Sequence, residues 1–212
     1  VVYTYLLQQC FTKPLLMAVT DTQKTLNAQI SQLEKEIREK KQALANLRRE
    51  APALPVKDYV LEDSNGNQVR LSDLFEGKDH LIVIHNMGKD CAYCTLWADG
   101  FNGIAAHLQD RARVIIVSPD APEEQRTFAD SRNWVIPMFS HRKTSFSKDL
   151  GFQLEDNLMP GISVFIKDEE GRLYQQSSST FGPGDNFSIM YDVMDLLPDG
   201  WNKWGPKNNY DE

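Results

Sequence analysis

Cysteine is scarce in this chain, with three residues among 212, at positions 10, 91 and 94. So few thiols exclude the dense disulfide framework that holds small secreted domains together. A reducing, cytoplasmic compartment fits this cysteine usage best. Because two of the three cysteines lie only three positions apart, their proximity needs a local explanation rather than a framework.

An excess of positive charge is missing as well. Lys and Arg number 23 against 30 Asp and Glu, which gives a net charge of −7. Nucleic-acid binding needs a clustered excess of Lys and Arg, so no polynucleotide partner is expected. With 25% charged and 41% apolar residues, the composition is that of ordinary globular proteins rather than of disordered or fibrous ones. The length suits one well-buried domain with an appendage.

The first sixteen residues lack the features of a targeting segment. They are apolar and aromatic, but they have no basic opening, contain Lys13-Pro14, and show no small-residue cleavage site before Met17. Neither a signal peptide nor a membrane span is predicted there, and no membrane partner is expected. We interpret residues 1–16, Cys10 included, as an upstream extension without function, with the biological start at Met17.

A long amphipathic helix is predicted over residues 22–50, within an N-terminal segment that we place at residues 17–51. One apolar seam steps by fours and threes, with Lys40 at its one polar position: Leu26, Ile30, Leu33, Ile37, Leu44 and Leu47. A helix of this length is marginal alone in water, so the seam must dock on something. Its own domain and the same helix of a second copy, in a coiled-coil homodimer, are the two alternatives.

Strands and helices alternate after the prolines that end this helix. Asn65-Gly66 suits a tight hairpin turn between two short strands. The elements that follow are a strand at 81–86, a helix at 94–108, a strand at 113–119, a helix at 122–134, a strand at 135–139 and a helical turn at 147–150. A hairpin at 162–177 and an amphipathic helix that includes Leu197 close the chain. This order predicts an α/β fold with a central mixed sheet flanked by helices on both faces.

Cys91 and Cys94 stand at the predicted junction of a buried strand and a helix. Thiols at i and i+3 in a first helical turn are close enough for a disulfide, and the N–H groups and helix dipole there stabilise a Cys91 thiolate. Near a βαβ pattern, this spacing is typical of a thioredoxin-like dithiol. A zinc site and an inert pair are the alternatives. Because the chain has no second C-x-x-C and no H-x-x-x-H, neither a metal nor another cofactor is expected.

The chain resembles a bacterial thioredoxin-like family, labelled as a domain of unknown function and related to the peroxiredoxin and AhpC group, in the stretch "DYVLEDSNGNQVRLSDLFEGKDHLIVIHNMGKDCAYCTLWADGFNG". The resemblance runs from about residue 22 to the C-terminus and includes the closing "DVMDLLPDGW". It implies a thioredoxin-like domain over residues 52–200. It leaves the chemistry open, because the family has no settled activity. Trp201 and Trp204, near two prolines, suggest a C-terminal strap at residues 201–212 rather than a ligand site.

The resemblance also suggests roles for the residues before the cysteine pair. Thioredoxins place a buried acid six positions before the first cysteine, and here that position is His85. His85 either accepts the proton of Cys94 in place of the acid or is a core histidine. Asp90 replaces the usual tryptophan before Cys91, and its charge disfavours a neighbouring thiolate unless Lys89 offsets it.

Met159-Pro160 matches the proline that faces the dithiol in thioredoxin-like folds, with Phe165 at the matching distance of five residues. The match favours a cis bond, which would expose the backbone of Met159 to an extended substrate, and a trans bond at the start of a strand is the alternative. Tyr93, which stands where thioredoxins have proline, and Trp97 complete the predicted substrate-binding set. Helix packing is the alternative for Trp97.

These residues and the resemblance predict a thiol–disulfide oxidoreductase, in which Cys91 attacks a protein or small-molecule disulfide and Cys94 resolves the mixed disulfide. The first alternative is a thiol peroxidase, suggested by the peroxiredoxin-like lead-in. Gly88, however, stands where peroxiredoxins carry threonine or serine, three residues before the reactive cysteine. The second alternative is a non-catalytic dimeric adaptor that uses the helix at 22–50.

Overall fold

The structure, a computed structural model, describes residues 20–210 of the chain. The predicted extension at residues 1–16, Cys10 and the predicted start at Met17 lie outside this range. The chain divides into two compact units, with the boundary between Leu47 and Arg48. Each unit is described by itself.

The first unit consists, in its described part, of a long helix, α1, which spans Asp21–Glu50 and so continues three residues past the boundary. Thr20 caps its start, since the Thr20 hydroxyl accepts the N–H of Gln23 at 3.2 Å. The helix predicted over residues 22–50 is therefore present. No side chain of α1 is buried, and the leucines and isoleucines of its seam are 39–65% exposed.

The described part of the second unit is built on ten strands: β1 Leu54–Val56, β2 Val60–Glu62, β3 Gln68–Arg70, β4 His80–His85, β5 Arg113–Ser118, β6 Met138–Ser140, β7 Gln153–Leu154, β8 Asn157–Leu158, β9 Gly161–Lys167 and β10 Leu173–Thr180. Eight of them form one sheet in the order β1-β10-β9-β4-β5-β6-β2-β3, and β7 and β8 form a separate hairpin. The pairs β4–β5 and β5–β6 are parallel, whereas β9 runs antiparallel to β4. The predicted mixed sheet is confirmed.

Helices cover both faces of this sheet. They are α2 Ala92–Gly103, α3 Ala105–Arg111, α4 Pro122–Ser131, α5 Phe146–Asp149 and α6 Ile189–Met194, with a 3-10 helix at Asp73–Phe75. The helix predicted over 94–108 is thus divided into α2 and α3 at Ile104. Gly100 and Gly103 weaken the helix before this break, because glycine is a poor helix former.

The strand β4 sorts its side chains between the two faces. Leu81 and Val83 belong to the cluster that packs with Phe75 of the 3-10 helix and Phe146 of α5. Ile84 belongs to the cluster formed with α2 and α3. Since successive side chains of a strand point to opposite faces, this alternation determines which face each residue of β4 can serve.

The final helix is shorter than predicted. It ends at Met194, and Leu197, predicted to lie on its apolar face, is 52% exposed. Pro198 keeps Leu197 out of the helix, because the residue before a proline is biased away from the α conformation. Within residues 20–210, no helix combines the length and the apolar character that crossing a bilayer requires.

Candidate functional site

Cys91 and Cys94 are joined by a disulfide at the start of α2, with their Cα atoms 5.3 Å apart. Cys91 is the N-cap residue of the helix: its backbone is extended, and its Sγ accepts the N–H of Cys94 at 3.1 Å. The two cysteines differ in exposure, because Cys91 is half-buried whereas Cys94 is 2% exposed. One residue of the pair therefore reaches the surface while its partner stays inside.

Both sulfurs lie close to backbone N–H groups. The Sγ of Cys91 has the N–H of Cys94, and the Sγ of Cys94 lies 3.5 Å from the N of Met87, which donates to it. Donors of this kind favour the anionic form of an acceptor over its neutral form. In the reduced state, the site would therefore stabilise a thiolate at either position.

The loop between β4 and α2, which carries Cys91, is fixed by hydrogen bonds to its surroundings. Asn86 donates its N–H to the carbonyl of Val117 at 2.9 Å, and its side-chain oxygen accepts the N–H of Gly88 at 2.8 Å. Gly88 has φ +119°, and a Cβ there would lie 3.1 Å from a carboxylate oxygen of Asp120. Only glycine fits this position without strain, so the loop can lie directly against Asp120.

Asp120 anchors the same loop from the neighbouring strand end. Its carboxylate accepts the N–H of Lys89 at 3.0 Å and the hydroxyl of Ser118 at 2.9 Å, and Gln125 donates to the Ser118 hydroxyl at 2.8 Å. Asp120 is not among the site residues predicted from the sequence. Its position just after β5 could have indicated it. Because β4 and β5 are parallel neighbours, the loops after their carboxyl ends meet at one edge of the sheet.

The charge of Asp90 is paired with Lys89. The Lys89 ammonium lies 3.3 Å from the carboxylate of Asp90 and 3.9 Å from that of Glu124. Asp90 raises the pKa of Lys89 above its ordinary value, so this cation is present at every physiological pH. The predicted offset of the Asp90 charge beside Cys91 is thus present as an ion pair. The Asp90 side chain is 92% exposed, so solvent screens the pair strongly.

His85 lies at the end of β4, and its ring points to the sheet face opposite α2. Its Nε2 is 3.0 Å from the hydroxyl of Ser163, and its ring stacks on Phe152 with centroids 3.6 Å apart. Burial, with a smaller contribution from nearby His141, lowers the pKa of His85 well below its ordinary value. The imidazole is therefore neutral and a weak base. Its predicted role as proton acceptor for Cys94 stays a prediction.

His141 makes the stability of the fold depend on pH. Its ring bonds the hydroxyl of Ser147 at 3.1 Å, and burial lowers its pKa to about 4. Below pH 6.5 the unfolded chain binds a proton that the native ring refuses, so stability falls as the pH drops toward 4. We expect the free energy of unfolding to fall by about 2 to 3 kcal/mol between pH 7 and pH 4.5 from His141 alone, measured by urea unfolding.

Other groups act in the same direction, so the comparison with a variant isolates His141. The stability of the fold also falls with pH because of other groups whose pKa is lowered: buried His85 and carboxylates that include Asp149 and Asp168. A His141→Asn variant keeps a polar side chain near Ser147 but does not titrate. Its unfolding free energy should depend less steeply on pH than that of the wild type. Equal slopes for the two proteins would contradict the assignment.

Met159 and Pro160 lie at the end of the sheet near the cysteine loop, since Gly161 pairs with His85. Residues 20–210 contain no cis peptide bond, so the predicted cis Met159-Pro160 bond is wrong. A trans bond is the intrinsically favoured isomer, and here it leads directly into β9. The N–H of Met159 already donates to the carbonyl of Phe152 at 2.8 Å, so it is not free for an extended substrate. Substrate binding by Met159 and Pro160 stays a prediction.

The two aromatic residues of the predicted substrate set are placed differently. Trp97 is 2% exposed and packs with Phe181 at a centroid distance of 5.2 Å, so a contact with substrate would require this cluster to open. Tyr93, between the two cysteines, is half-buried. A Cβ on Gly205 would lie 3.3 Å from the Tyr93 hydroxyl, which places the C-terminal segment directly against this ring.

Asp99 and Arg132 tie α2 to the chain around it. The carboxylate of Asp99 accepts two N–H groups of Arg132 and the indole N–H of Trp134, the last at 2.7 Å. Arg132 also donates to the carbonyl of Asn208 at 3.1 Å, and the Asn208 amide donates to the carbonyl of Lys89 at 3.2 Å. The C-terminal segment, predicted as a strap, therefore runs beside the cysteine loop. In the described part of the chain, no three His, Cys, Asp or Glu side chains are grouped so as to hold a metal ion.

Residues 17–211 match the family described as "Bacterial protein of unknown function (DUF899)". The chain is also similar to a thiol peroxidase of Staphylococcus saprophyticus, with 29% identity over 119 residues that cover 55% of this chain and 70% of that protein. The family match includes Cys91 and Cys94.

Two solved structures are similar in fold. Reduced Prx3 of Vibrio vulnificus in complex with hydrogen peroxide has a TM-score of 0.50 and 16% identity, over 64% of this chain and 90% of that one. Peroxidoxin BcpB of Mycobacterium tuberculosis has a TM-score of 0.49 and 21% identity, over 66% of this chain and 91% of that one. At these identities the likeness to Prx3 concerns the fold alone, and it confirms the predicted thioredoxin-like fold. The chain belongs to the bacterial family DUF899, a thioredoxin-like family related to the peroxiredoxins.

Proposed function

We propose that this protein is a thiol–disulfide oxidoreductase that uses Cys91 as the attacking thiol and Cys94 as the resolving one. The observation that carries the proposal is the position of the disulfide: Cys91 is half-buried at the N-cap of α2, and its partner is buried in the first turn. Disulfide exchange needs this combination: an accessible sulfur that a substrate can reach, and a protected sulfur that resolves the mixed disulfide.

The reduced form of Cys91 has two sources of stabilisation for a thiolate. The first is the N-terminus of the twelve-residue helix α2, whose dipole and free N–H groups favour a negative charge. The second is the hydrogen bond from the N–H of Cys94. Asp90 acts against both, and the ion pair with Lys89 moderates its effect.

The exchange proceeds in two steps that balance in atoms and electrons. The Cys91 thiolate attacks one sulfur of a substrate disulfide, forms the Cys91–substrate disulfide and releases the other half of the substrate as a thiolate. Cys94, after losing its proton, attacks the sulfur of Cys91, closes the Cys91–Cys94 disulfide and releases the second thiolate. Two electrons have then passed to the substrate. A separate dithiol donor, of the kind that a reducing cytoplasm supplies, must restore the two thiols.

A redox titration tests this proposal. The Cys91–Cys94 pair should equilibrate with a glutathione buffer as a two-electron couple, with a potential between about −120 and −270 mV, the span of known dithiol oxidoreductases. The same sample should accelerate the reduction of insulin by a small dithiol. If the pair reacts neither with glutathione nor with insulin, the proposal fails and the adaptor alternative is favoured.

Thiol peroxidase activity is a second candidate, favoured by the similarity to the thiol peroxidase of Staphylococcus saprophyticus. Here the Cys91 thiolate would attack a peroxide oxygen and form a sulfenic acid with release of an alcohol or water. Cys94 would then form the disulfide and release water. Gly88 lacks the hydroxyl expected three residues before Cys91. The nearby Thr95 hydroxyl is already engaged, because it donates to the carbonyl of Cys91 at 3.1 Å. Consumption of hydrogen peroxide by the reduced protein, faster than its reaction with disulfides, would favour this candidate.

We also propose that α1 joins two copies of the chain in a parallel coiled coil. Its seam places Ile30, Ile37 and Leu44 at the first apolar position of each heptad, the a position. Leu33 and Leu47 occupy the second, the d position. Isoleucine at a with leucine at d favours parallel two-stranded coiled coils. The exposed apolar surface of this seam supports a second copy as its partner.

The charges that flank the seam agree with the parallel arrangement. In a parallel pair, the residue before an a position, at g, lies beside the e residue of the next heptad on the other helix. Glu36 occupies such a g position, and Lys41 is the e residue that it would meet on the second copy. Both copies make this contact, so the dimer gains two attractive pairs.

A further inference from the structure

A cavity of about 540 Å³ lies between α2, α6 and the C-terminal segment. Most of its lining is apolar or aromatic and includes Leu96, Phe101, Ile104, Ile189, Trp204 and Tyr210. This volume and this lining are typical of pockets that hold small organic molecules, which range over roughly 300–1,000 Å³. No residue assigned to the exchange chemistry lines the cavity.

The cavity lies along α2, the helix whose first turn carries the disulfide. Tyr93, Leu96 and Gly100 follow one another at three- and four-residue intervals, so they share a face of the helix. Leu96 and Gly100 line the cavity, and Tyr93 lies between the cysteines. Leu96 is about 7.5 Å and Gly100 about 13.5 Å from Cys91 along the helix axis, at 1.5 Å per residue. A molecule of ordinary drug size can therefore span the distance from the cavity to Cys91.

The C-terminal segment connects the cavity to the cysteine loop on the other side. Trp204 and Pro206 line the cavity, and Gly205 between them lies against the hydroxyl of Tyr93. Asn208 then bonds the carbonyl of Lys89, two residues before Cys91. The segment thus runs from the cavity to the loop that carries Cys91.

The two charged side chains at the cavity, those of Asp99 and Lys207, do not favour a charged ligand. The carboxylate of Asp99 lines it but already accepts hydrogen bonds from Arg132 and Trp134. Lys207 also lines the cavity, but its residue is exposed at the rim, where solvent hydrates the ammonium. Burial of an uncharged apolar group is therefore the interaction that would stabilise a ligand in this cavity.

We infer that this cavity binds the uncharged apolar body of a small-molecule disulfide, and that it presents the disulfide to Cys91. The inference deepens the proposed function, and its reductive step rests on that function. Binding in the cavity does not rest on it. The substrate class that follows is that of small aromatic or branched aliphatic disulfides, rather than small charged ones.

Gly100 allows the cavity to be filled without disturbing the fold. A Cβ at Gly100, on the cavity wall, would meet no atom within 4 Å, so Gly100→Leu projects a side chain into open space. Gly103, in the same helix, also has no atom within 4 Å of a Cβ but does not line the cavity. Gly103→Leu is therefore a matched control, and leucine forms helices better than glycine in both variants.

The first measurement is binding without chemistry. The probe is 4,4′-dipyridyl sulfide, a thioether that cannot exchange with thiols, and the signal is tryptophan fluorescence of the oxidised protein, since Trp204 lines the cavity. We expect Gly100→Leu to weaken binding by about tenfold or more and Gly103→Leu to leave it unchanged. Equal binding by all three proteins, or no binding to the wild type, would overturn the inference.

The second measurement is the rate at which the reduced protein reacts with disulfides. Gly100→Leu should slow the reaction with 4,4′-dithiodipyridine about tenfold and leave that with cystamine, a small charged disulfide, unchanged. Binding that depends on Gly100 without any disulfide reduction would refute the proposed function and retain the cavity as a ligand site. If the protein reduces insulin but does not bind the thioether probe, and if Gly100→Leu does not slow disulfide reduction, the cavity inference alone is refuted.

Discussion

Cys91→Ser is expected to abolish disulfide reduction, lowering the rate by about a thousandfold or more, because a serine hydroxyl is not ionised near neutral pH. Cys94→Ser is expected to behave differently. Its Cys91 can still attack a substrate disulfide, but no second thiol releases the product, so a mixed disulfide accumulates. Non-reducing mass spectrometry after incubation with a disulfide peptide should detect this adduct in Cys94→Ser and not in Cys91→Ser.

Both serine variants should fold, which keeps this comparison interpretable. Serine is a favoured N-cap residue, so at position 91 it can accept the N–H of residue 94 as the cysteine does. At position 94 its hydroxyl can accept the N–H of Met87. Cys10→Ser is the matched control, and its activity should equal that of the wild type. Trapping by Cys91→Ser, or equal reactivity of both thiols toward iodoacetamide, would contradict the assigned order.

The location of the cysteine pair could be predicted from the sequence because its signals are local. The apolar run Leu81-Ile82-Val83-Ile84 indicates a buried strand, and the helical pattern after Cys91 indicates the helix. A dithiol between two such elements must lie at a helix N-terminus. The exposure of Cys91 and the burial of Cys94 follow once the helix packs its inner face on the sheet.

The contacts that fix the site depend on tertiary structure, and local patterns do not contain them. The bonds from Asp120 to the cysteine loop exist because β5 lies beside β4, about thirty residues apart in sequence. The Met159-Pro160 isomer depends on tertiary context in the same way, since the two isomers differ intrinsically by only about 0.5–1 kcal/mol. Spacing from the dithiol therefore led to the wrong isomer.

His85 shows what strand periodicity can and cannot decide. Its side chain must share a face with Val83 and oppose Ile84, because the side-chain period of a strand is two. The sequence does not reveal which of these faces α2 covers. The structure pairs Ile84 with α2, and this pairing directs His85 toward Ser163 and Phe152.

Lys40→Leu is expected to tighten the proposed homodimer of α1 by about a hundredfold. In a parallel pair, the two Lys40 side chains occupy facing d positions, where their like charges repel and their ammonium groups are poorly hydrated. Leucine removes this repulsion and buries two further apolar side chains, at about 1.5–3 kcal/mol each. A gain of about 3 kcal/mol corresponds to about a hundredfold in the dissociation constant, which sedimentation equilibrium over a range of protein concentrations measures directly.

Lys35→Leu supplies the matched control, because it makes the same change on the opposite side of the helix. Lys35 occupies the f position, and its side chain is 62% exposed. It should leave the dissociation constant of the dimer unchanged, whereas Leu33→Lys, at a d position, should raise it by removing an apolar contact from each helix. Disulfide reduction should stay at the wild-type rate in all three variants, since none of them lies in the second unit. If Lys35→Leu promotes association as strongly as Lys40→Leu, the gain is nonspecific hydrophobic association, and the parallel seam is refuted.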